Sequence, residues 1–502
     1  MTEASETQHI NTEPERNVGK IIARNTLFGI GGQLALRVVS FIFTVLVVRT
    51  LGEEHFGQYS IVLAWAGLFS VIGDLGINQY LAREIARDKN AANELFWDTV
   101  VLRFILALLA SVITVGGAIL LTDYSTDIVI GIALFTMTYF FMALFAPIQS
   151  ILTGNERLDV ISIMSVIMQI IFMVLSAVFL LMGFNFVWLI VAGVLNMPIV
   201  TALQWYVIRR NKLGPPRWNI NPTMWMSVIR AGLPFAAVQL SLSFAFQVDT
   251  IFLSHYTSDA VVGWYGAAYR LTLTLFTISQ SFNNAILPTL AREHTTNPET
   301  VRKWYYASVR FIVMIGLPIA VGGSILSRGI VMVYGDDFLP SAVAFAILVW
   351  DIPFVMYHSF CGNISTSIRK EGNAARIYMS VGILNIILNA FLVPKFGIAA
   401  ACFATVLTDL FGAALFYAVL RRELGPGLKL NRLLWIGAAA AAMGVIIFLL
   451  RDYNIFVTVA IGGVFYLLLV WKLPTLAQDE RTQLLNLAGR LGSRLRPVFL
   501  RG

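Results

Sequence analysis

The chain has 502 residues, 58% of them hydrophobic and only 13% charged, with a mean hydropathy of +0.75. A soluble domain carries about 25% charge and no soluble core of this size hides so much apolar surface, so lipid must cover the remainder. The formal charge of +8 is read as basic residues gathered on one membrane face, and nucleic acid is not an expected partner.

Residues 1–24 are polar and mixed in charge, with Glu13, Glu15, Arg16 and Lys20 among them. No short basic stretch leads there into a brief apolar core and small-residue cleavage site, so the segment is expected to stay as a cytoplasmic tail. Apolar runs long enough to cross a bilayer then follow at 25–49, 58–82, 99–122, 128–152, 161–183 and 187–208. These form an expected first lobe over 25–208. A basic loop at 209–228, carrying Pro215, Pro216 and Pro222, leads into a second lobe over 229–420. Its spans are 229–254, 261–290, 305–327, 338–362, 376–394 and 398–420. Two extra helices, 432–450 and 454–472, occupy the segment 421–472, and a cytoplasmic tail covers 473–502. The fold class is therefore an all-α polytopic membrane protein of about fourteen transmembrane helices, two lobes of six plus two.

The connections alternate in character. Gaps 50–57, 123–127 and 255–260 hold no Lys or Arg, whereas 83–98, 209–228, 291–304, 363–375 and 421–431 are rich in both. Counting the termini with that second set, roughly three quarters of the basic residues lie on one side, which makes both termini cytoplasmic. A prokaryotic inner (plasma) membrane suits such a chain. Cys361 and Cys402 sit in apolar runs without ligand spacing and read as small core residues.

The two lobes repeat. LARE at Leu81–Glu84 returns at Leu290–Glu293, and LRFI with Arg103 returns as VRFI with Arg310. Arg24, Gln33, Gly57 and Tyr59 return as Arg230, Gln239, Gly263 and Tyr265, offset by about 206 positions. Each copy holds an even number of helices, so the copies are parallel, and a pseudo-twofold along the membrane normal with a cavity between the lobes is expected.

Several stretches together resemble one family. They are Arg49–Gly57 (RTLGEEHFG), Asp74–Gly76 (DLG), Val262–Arg270 (VGWYGAAYR), Tyr334–Phe338 (YGDDF) with Ala342, and the hairpin from Gly372 to Asp409 with Asn385, Asn389 and PKFGIAAACFAT. The chain is similar in these to the oligosaccharide flippases, of polysaccharide-export type, of the multidrug/oligosaccharidyl-lipid/polysaccharide exporter superfamily. Ala399–Ala401 stands where that family commonly has a GAA triplet. The resemblance implies alternating-access transfer of a polyprenyl-pyrophosphate-linked oligosaccharide from the cytoplasmic to the outer leaflet, for polysaccharide or cell-surface glycan synthesis. Membrane lipids and glycan-assembly proteins are its implied partners.

Charges inside spans cost roughly 2.5–3.5 kcal/mol each and call for a reason. Arg37 lies ~18 Å into helix 1 and Arg270 ~14 Å into helix 8, both too deep to reach the headgroups easily. Two arrangements fit them. One is a substrate-binding clamp, because guanidinium matches phosphate oxygens with paired hydrogen bonds. The other is an internal ion pair of Arg270 with Asp249 or Asp351. For Arg103 and Arg310 the choices are snorkelling to headgroups or substrate binding at the cytoplasmic mouth. Asp249, Asp351 and Asp409 are candidates for H⁺ or Na⁺ coupling, Asp74 reads as structural, and His358 as a buried histidine. No Walker A loop, HExxH or long catalytic loop is present, so no enzyme activity, cofactor or metal is expected. A cation-coupled drug antiporter of the same superfamily is the main alternative, disfavoured by basic groups at mid-depth. A glycan polymerase or ligase is the weaker one, since the longest outer gap, 328–337, is too short to house its chemistry.

Overall fold

The structure, a computed structural model, describes residues 18–210, 218, 220–276, 298–368 and 370–475. Among them there are helices and turns but no strand. Residues 1–17, 211–217, 219 and 476–502 lie outside the described residues, as do the second LARE and Pro288.

Ten described helices are long and apolar enough to cross a membrane, or eleven if a bent pair counts as one span. Two of the helices are longer than any span. Helix α1, Val18–Asp74, has 57 residues and would reach ~86 Å at 1.5 Å per residue, against a hydrocarbon core of ~30 Å. It breaks at Gly52, whose φ of 70° and ψ of 177° are not helical. The other is α13, Glu371–Leu424, which breaks at Gly397 with φ 55° and ψ −133°. Only glycine takes these angles readily, lacking the Cβ that closes them to other residues. Each long helix is therefore interrupted at one glycine, in the gaps the sequence left at 50–57 and 395–397.

Expected helix 2 differs from the observed one. It runs past 82 and breaks inside DLG, at Leu75 (φ 45°) and Gly76 (φ 72°), before α2 takes over at Ile77–Arg87. The Asp74 carboxylate accepts from the Gly76 N–H and from Arg103, which fixes the break. The remaining elements are α3 (Ala91–Leu121), α4 (Thr126–Gly154), α5 (Leu158–Leu181), α6 (Phe186–Arg210), α7 (Trp225–Tyr256), α8 (259–276), α9 (Pro298–Ile325), α10 (Ser327–Val331), α11 (Ser341–Leu348), α12 (Ile352–Ser367), α14 (Leu430–Leu449) and α15 (Ile455–Lys472). Expected helix 10 is thus two helices, joined by a 3₁₀ turn at Val349–Asp351 ahead of Pro353.

Residues Met1–Leu46 and Val47–Gly502 form two compact units. In the first, Arg37 lies on α1, and Ser40 Oγ donates to the Leu36 carbonyl at 2.7 Å. In the second, α3 and α6 pack on α4, α5 on α6 and α2 on α4. Their shared core includes Ile77, Leu81, Phe96, Ile148 and Leu152. Separately, α13 packs on α7 and α12, and α9 on α12. Helix α14 lies on α9 and α15, burying Ala439, Ala440, Met443 and Tyr466. Large apolar side chains such as Leu120, Phe391 and Phe456 face outward, as lipid-covered helices require.

Candidate functional site

Asp249 on α7 is 1% exposed, and among the described charged residues only Asp98 is more enclosed. One carboxylate oxygen accepts from the side-chain amides of Asn385, at 3.2 Å, and Asn389. The other accepts from the Tyr265 hydroxyl at 2.8 Å and from Thr405 Oγ1. Asn385 and Asn389 stand four apart on one face of the first arm of α13, while Thr405 comes from its second arm beyond Gly397. The broken helix thus presents both arms to one carboxylate. Every donor is neutral. Asn389 Oδ1 is itself buried without a hydrogen-bond partner, leaving an acceptor beside an unbalanced negative charge.

Thr405 also lines a cavity of about 290 Å³ with Asp351, His358, Asp409, Thr408 and Tyr378. The Asp351 and Asp409 carboxyls meet at hydrogen-bonding distance, and His358 Nδ1 lies 3.4 Å from Asp409 Oδ1. His358 is 5% exposed and Asp351 6%, with Asp351 Oδ1 unpartnered. The three coupling candidates therefore fall into one neighbourhood, with Thr405 bridging from Asp249 to the cavity wall.

Arg270 lies apart from them. Its guanidinium sits 5.5 Å from the Phe56 ring centroid and 5.8 Å from that of Tyr59, within hydrogen-bonding reach of the Tyr59 hydroxyl. Among the described residues no carboxylate lies within ion-pair distance of it. The ion pair of Arg270 with Asp249 or Asp351 is therefore not formed: neutral donors fill the first carboxylate and Asp409 meets the second.

Arg103 is 4% exposed and paired with Asp74. It neither snorkels nor stands free at a mouth; its charge is spent on the bend at DLG. Arg310 is half-buried on α9. Cys361 and Cys402 are both buried. Sequence reasoning missed Asn389, Thr405 and Tyr265 as the partners of Asp249. The four-residue spacing of the two asparagines was the available signal, but nothing local points an α13 face at α7.

Comparisons with known proteins agree with this architecture. Residues 22–294 match the model of the polysaccharide biosynthesis protein family, and residues 234–416 match the MatE model. The first match spans more than half of the chain, and the chain belongs to that family. It is 22% identical over 445 residues to the probable flippase AglR of Haloferax volcanii, covering 86% of this chain and 90% of that one. To the probable low-salt glycan biosynthesis flippase Agl15 of the same organism it is 24% identical over 234 residues, 46% of this chain and 49% of that one. Its fold is similar to that of the lipid II flippase MurJ in an inward closed conformation, with a TM-score of 0.74 at 15% identity over 88% of this chain and 98% of that one. A multidrug resistance MATE transporter in an inward-facing conformation gives 0.62 at 15% identity, covering 77% and 94%.

Proposed function

We propose that this member of the polysaccharide biosynthesis protein family is a flippase, carrying a polyprenyl-pyrophosphate-linked oligosaccharide from the cytoplasmic to the outer leaflet by alternating access. The two relatives named as probable flippases support the class. Arg270 carries the assignment to this chain: a guanidinium inside a membrane helix that meets aromatic rings and, among the described residues, no carboxylate. A cationic drug gains nothing from such a group, whereas a diphosphate gains two charge-assisted hydrogen bonds.

In this reading residues 25–208 and 229–420 are the two lobes, Arg37 and Arg270 each bind substrate phosphate, and Arg310 lies near the cytoplasmic mouth. Arg103 shapes that end through Asp74. Both termini are cytoplasmic in a prokaryotic inner membrane, and glycan-assembly proteins act beside the chain. Coupling falls to Asp249, with Asp351 and Asp409 close by. The oxygens of Asp249, Asn385, Asn389 and Thr405 suit a small monovalent cation, and the orphaned Asn389 Oδ1 fits such a ligand set. Na⁺ or H⁺ there would offset a carboxylate that, among the described residues, no basic side chain balances.

Transfer of lipid-linked oligosaccharide in reconstituted vesicles tests the clamp. Arg37→Ala and Arg270→Ala should each lower the rate by about 100-fold, the scale of two lost charge-assisted bonds, with the thermal melt unchanged. Arg270→Lys should recover part of it, since it keeps charge but loses the fork. Native rates in both alanine variants would remove the clamp while leaving the family intact.

A further inference from the structure

Three stretches that the clamp and the cation site leave mostly unused, RTLGEEHFG, VGWYGAAYR and YGDDF, converge at one place. The α1 segment after Gly52 crosses α8 so closely that a Cβ on Gly57 would stand 1.8 Å from the Asp259 carbonyl oxygen. One on Gly263 would stand 2.0 Å from the Glu53 carbonyl oxygen. No side chain fits at either point. Two hydrogen bonds flank this crossing. Trp264 Nε1 donates to Glu53 Oε2 at 2.6 Å, and Gln58 Nε2 donates to Asp259 Oδ2 at 3.1 Å. Glu53 and Asp259 are repeat mates at the same offset of about 206, and so are Gln58 and Trp264. Each carboxylate therefore holds the mate of the residue that holds its own counterpart.

The YGDDF segment covers this crossing. Arg49 Nε donates to the Val333 carbonyl at 2.7 Å, and Trp264 Nε1 also reaches the Asp337 carbonyl. Phe338, 1% exposed, sets its ring edge-on to Phe56. Below the crossing, the same Phe56 and Tyr59 hold Arg270. An apolar packing contact needs none of these polar links, and their charge lies where the proposed topology puts the outside.

We propose that these residues form the outer lock of the transporter: two repeat-related bolts, Glu53–Trp264 and Asp259–Gln58, with Arg270 on Phe56 and Tyr59 as a third, inner bolt that substrate phosphate withdraws. The two outer bolts stand on contacts alone. Withdrawal of the third rests on the clamp reading above, because a diphosphate that captures Arg270 takes it from the rings that tie α8 to α1. Arrival of substrate then loosens the outer face without any direct contact there.

The test uses a single cysteine at Ser60, beside Gly266 and one turn below the crossing, with Cys361 and Cys402 replaced by alanine. A membrane-impermeant thiol reagent added from outside reads opening of the lock. Trp264→Phe together with Gln58→Met should raise the labelling rate about tenfold or more, as expected for two lost bonds to carboxylates. Arg270→Ala should raise it too. Farnesyl diphosphate should raise it in the native background but not in Arg270→Ala, with farnesol as the control for membrane perturbation. If the double bolt variant labels at the native rate, the lock is wrong, whatever the diphosphate does. If the bolt variants open but farnesyl diphosphate has no effect on the native chain, the lock stands, and withdrawal by phosphate falls together with the clamp.

Discussion

Asp249 and Asp74 are carboxylates in the same helical membrane protein, yet their partners differ in kind. Asp74 meets the guanidinium of Arg103, so its charge is balanced within the fold. Asp249 meets two amides and two hydroxyls, which hydrogen-bond the charge without cancelling it. Burying an unbalanced charge costs several kcal/mol, so a bound cation should show as stability. A cation that binds only the folded form stabilises by about 2.7 kcal/mol at 100 times its dissociation constant. Sodium in place of choline should therefore raise the melting temperature of the native protein and leave Asp249→Asn unmoved. Equal melts of the native protein in the two salts would leave Asp249 without sodium.

At the scale of elements, single glycines decide where the long helices turn. Gly52 has open space around it, so an added methyl would meet no neighbour, yet its φ of 70° and ψ of 177° exclude a Cβ. Gly437, inside α14, also has open space but helical surroundings. The same Gly→Ala change should then have opposite signs. Gly52→Ala should destabilise by about 1–3 kcal/mol through backbone strain, and Gly437→Ala should stabilise by about 0.5–1 kcal/mol through helix propensity. Thermal melts of the two variants compare them directly. Helix α8 shows the complementary economy: Trp264, Tyr265 and Arg270 place a proposed bolt, a donor to Asp249 and the proposed clamp arginine within two turns. Any tilt of α8 moves all three.

For the whole molecule, the charge asymmetry is the basis of the proposed orientation. Position 54 lies in a gap without Lys or Arg and 337 in one whose only basic residue is Arg328; both are exposed, as are 93 and 429 in the basic connections. Single cysteines at Glu54 or Asp337 should react with an impermeant reagent in intact cells, and those at Asn93 or Lys429 only after permeabilisation. The reverse pattern would invert the topology, and with it the direction of the proposed transport.

The class and the approximate spans, with gaps at 50–57 and 395–397, could be read from the sequence, because crossing a bilayer depends on local properties, run length and apolarity. The structure put the breaks within those gaps on Gly52 and Gly397. The sequence also determined which positions are repeated. Which residues meet depends on how the helices cross. Asp249 is 136 to 156 positions from the α13 residues that hold it, and Glu53 is 211 from Trp264. Arg270 and Arg103 look alike in sequence, each an arginine in an apolar run. One lies against aromatic rings and the other against Asp74, because helix crossing sets their neighbours, and a one-dimensional pattern of apolar runs carries no information about which faces cross.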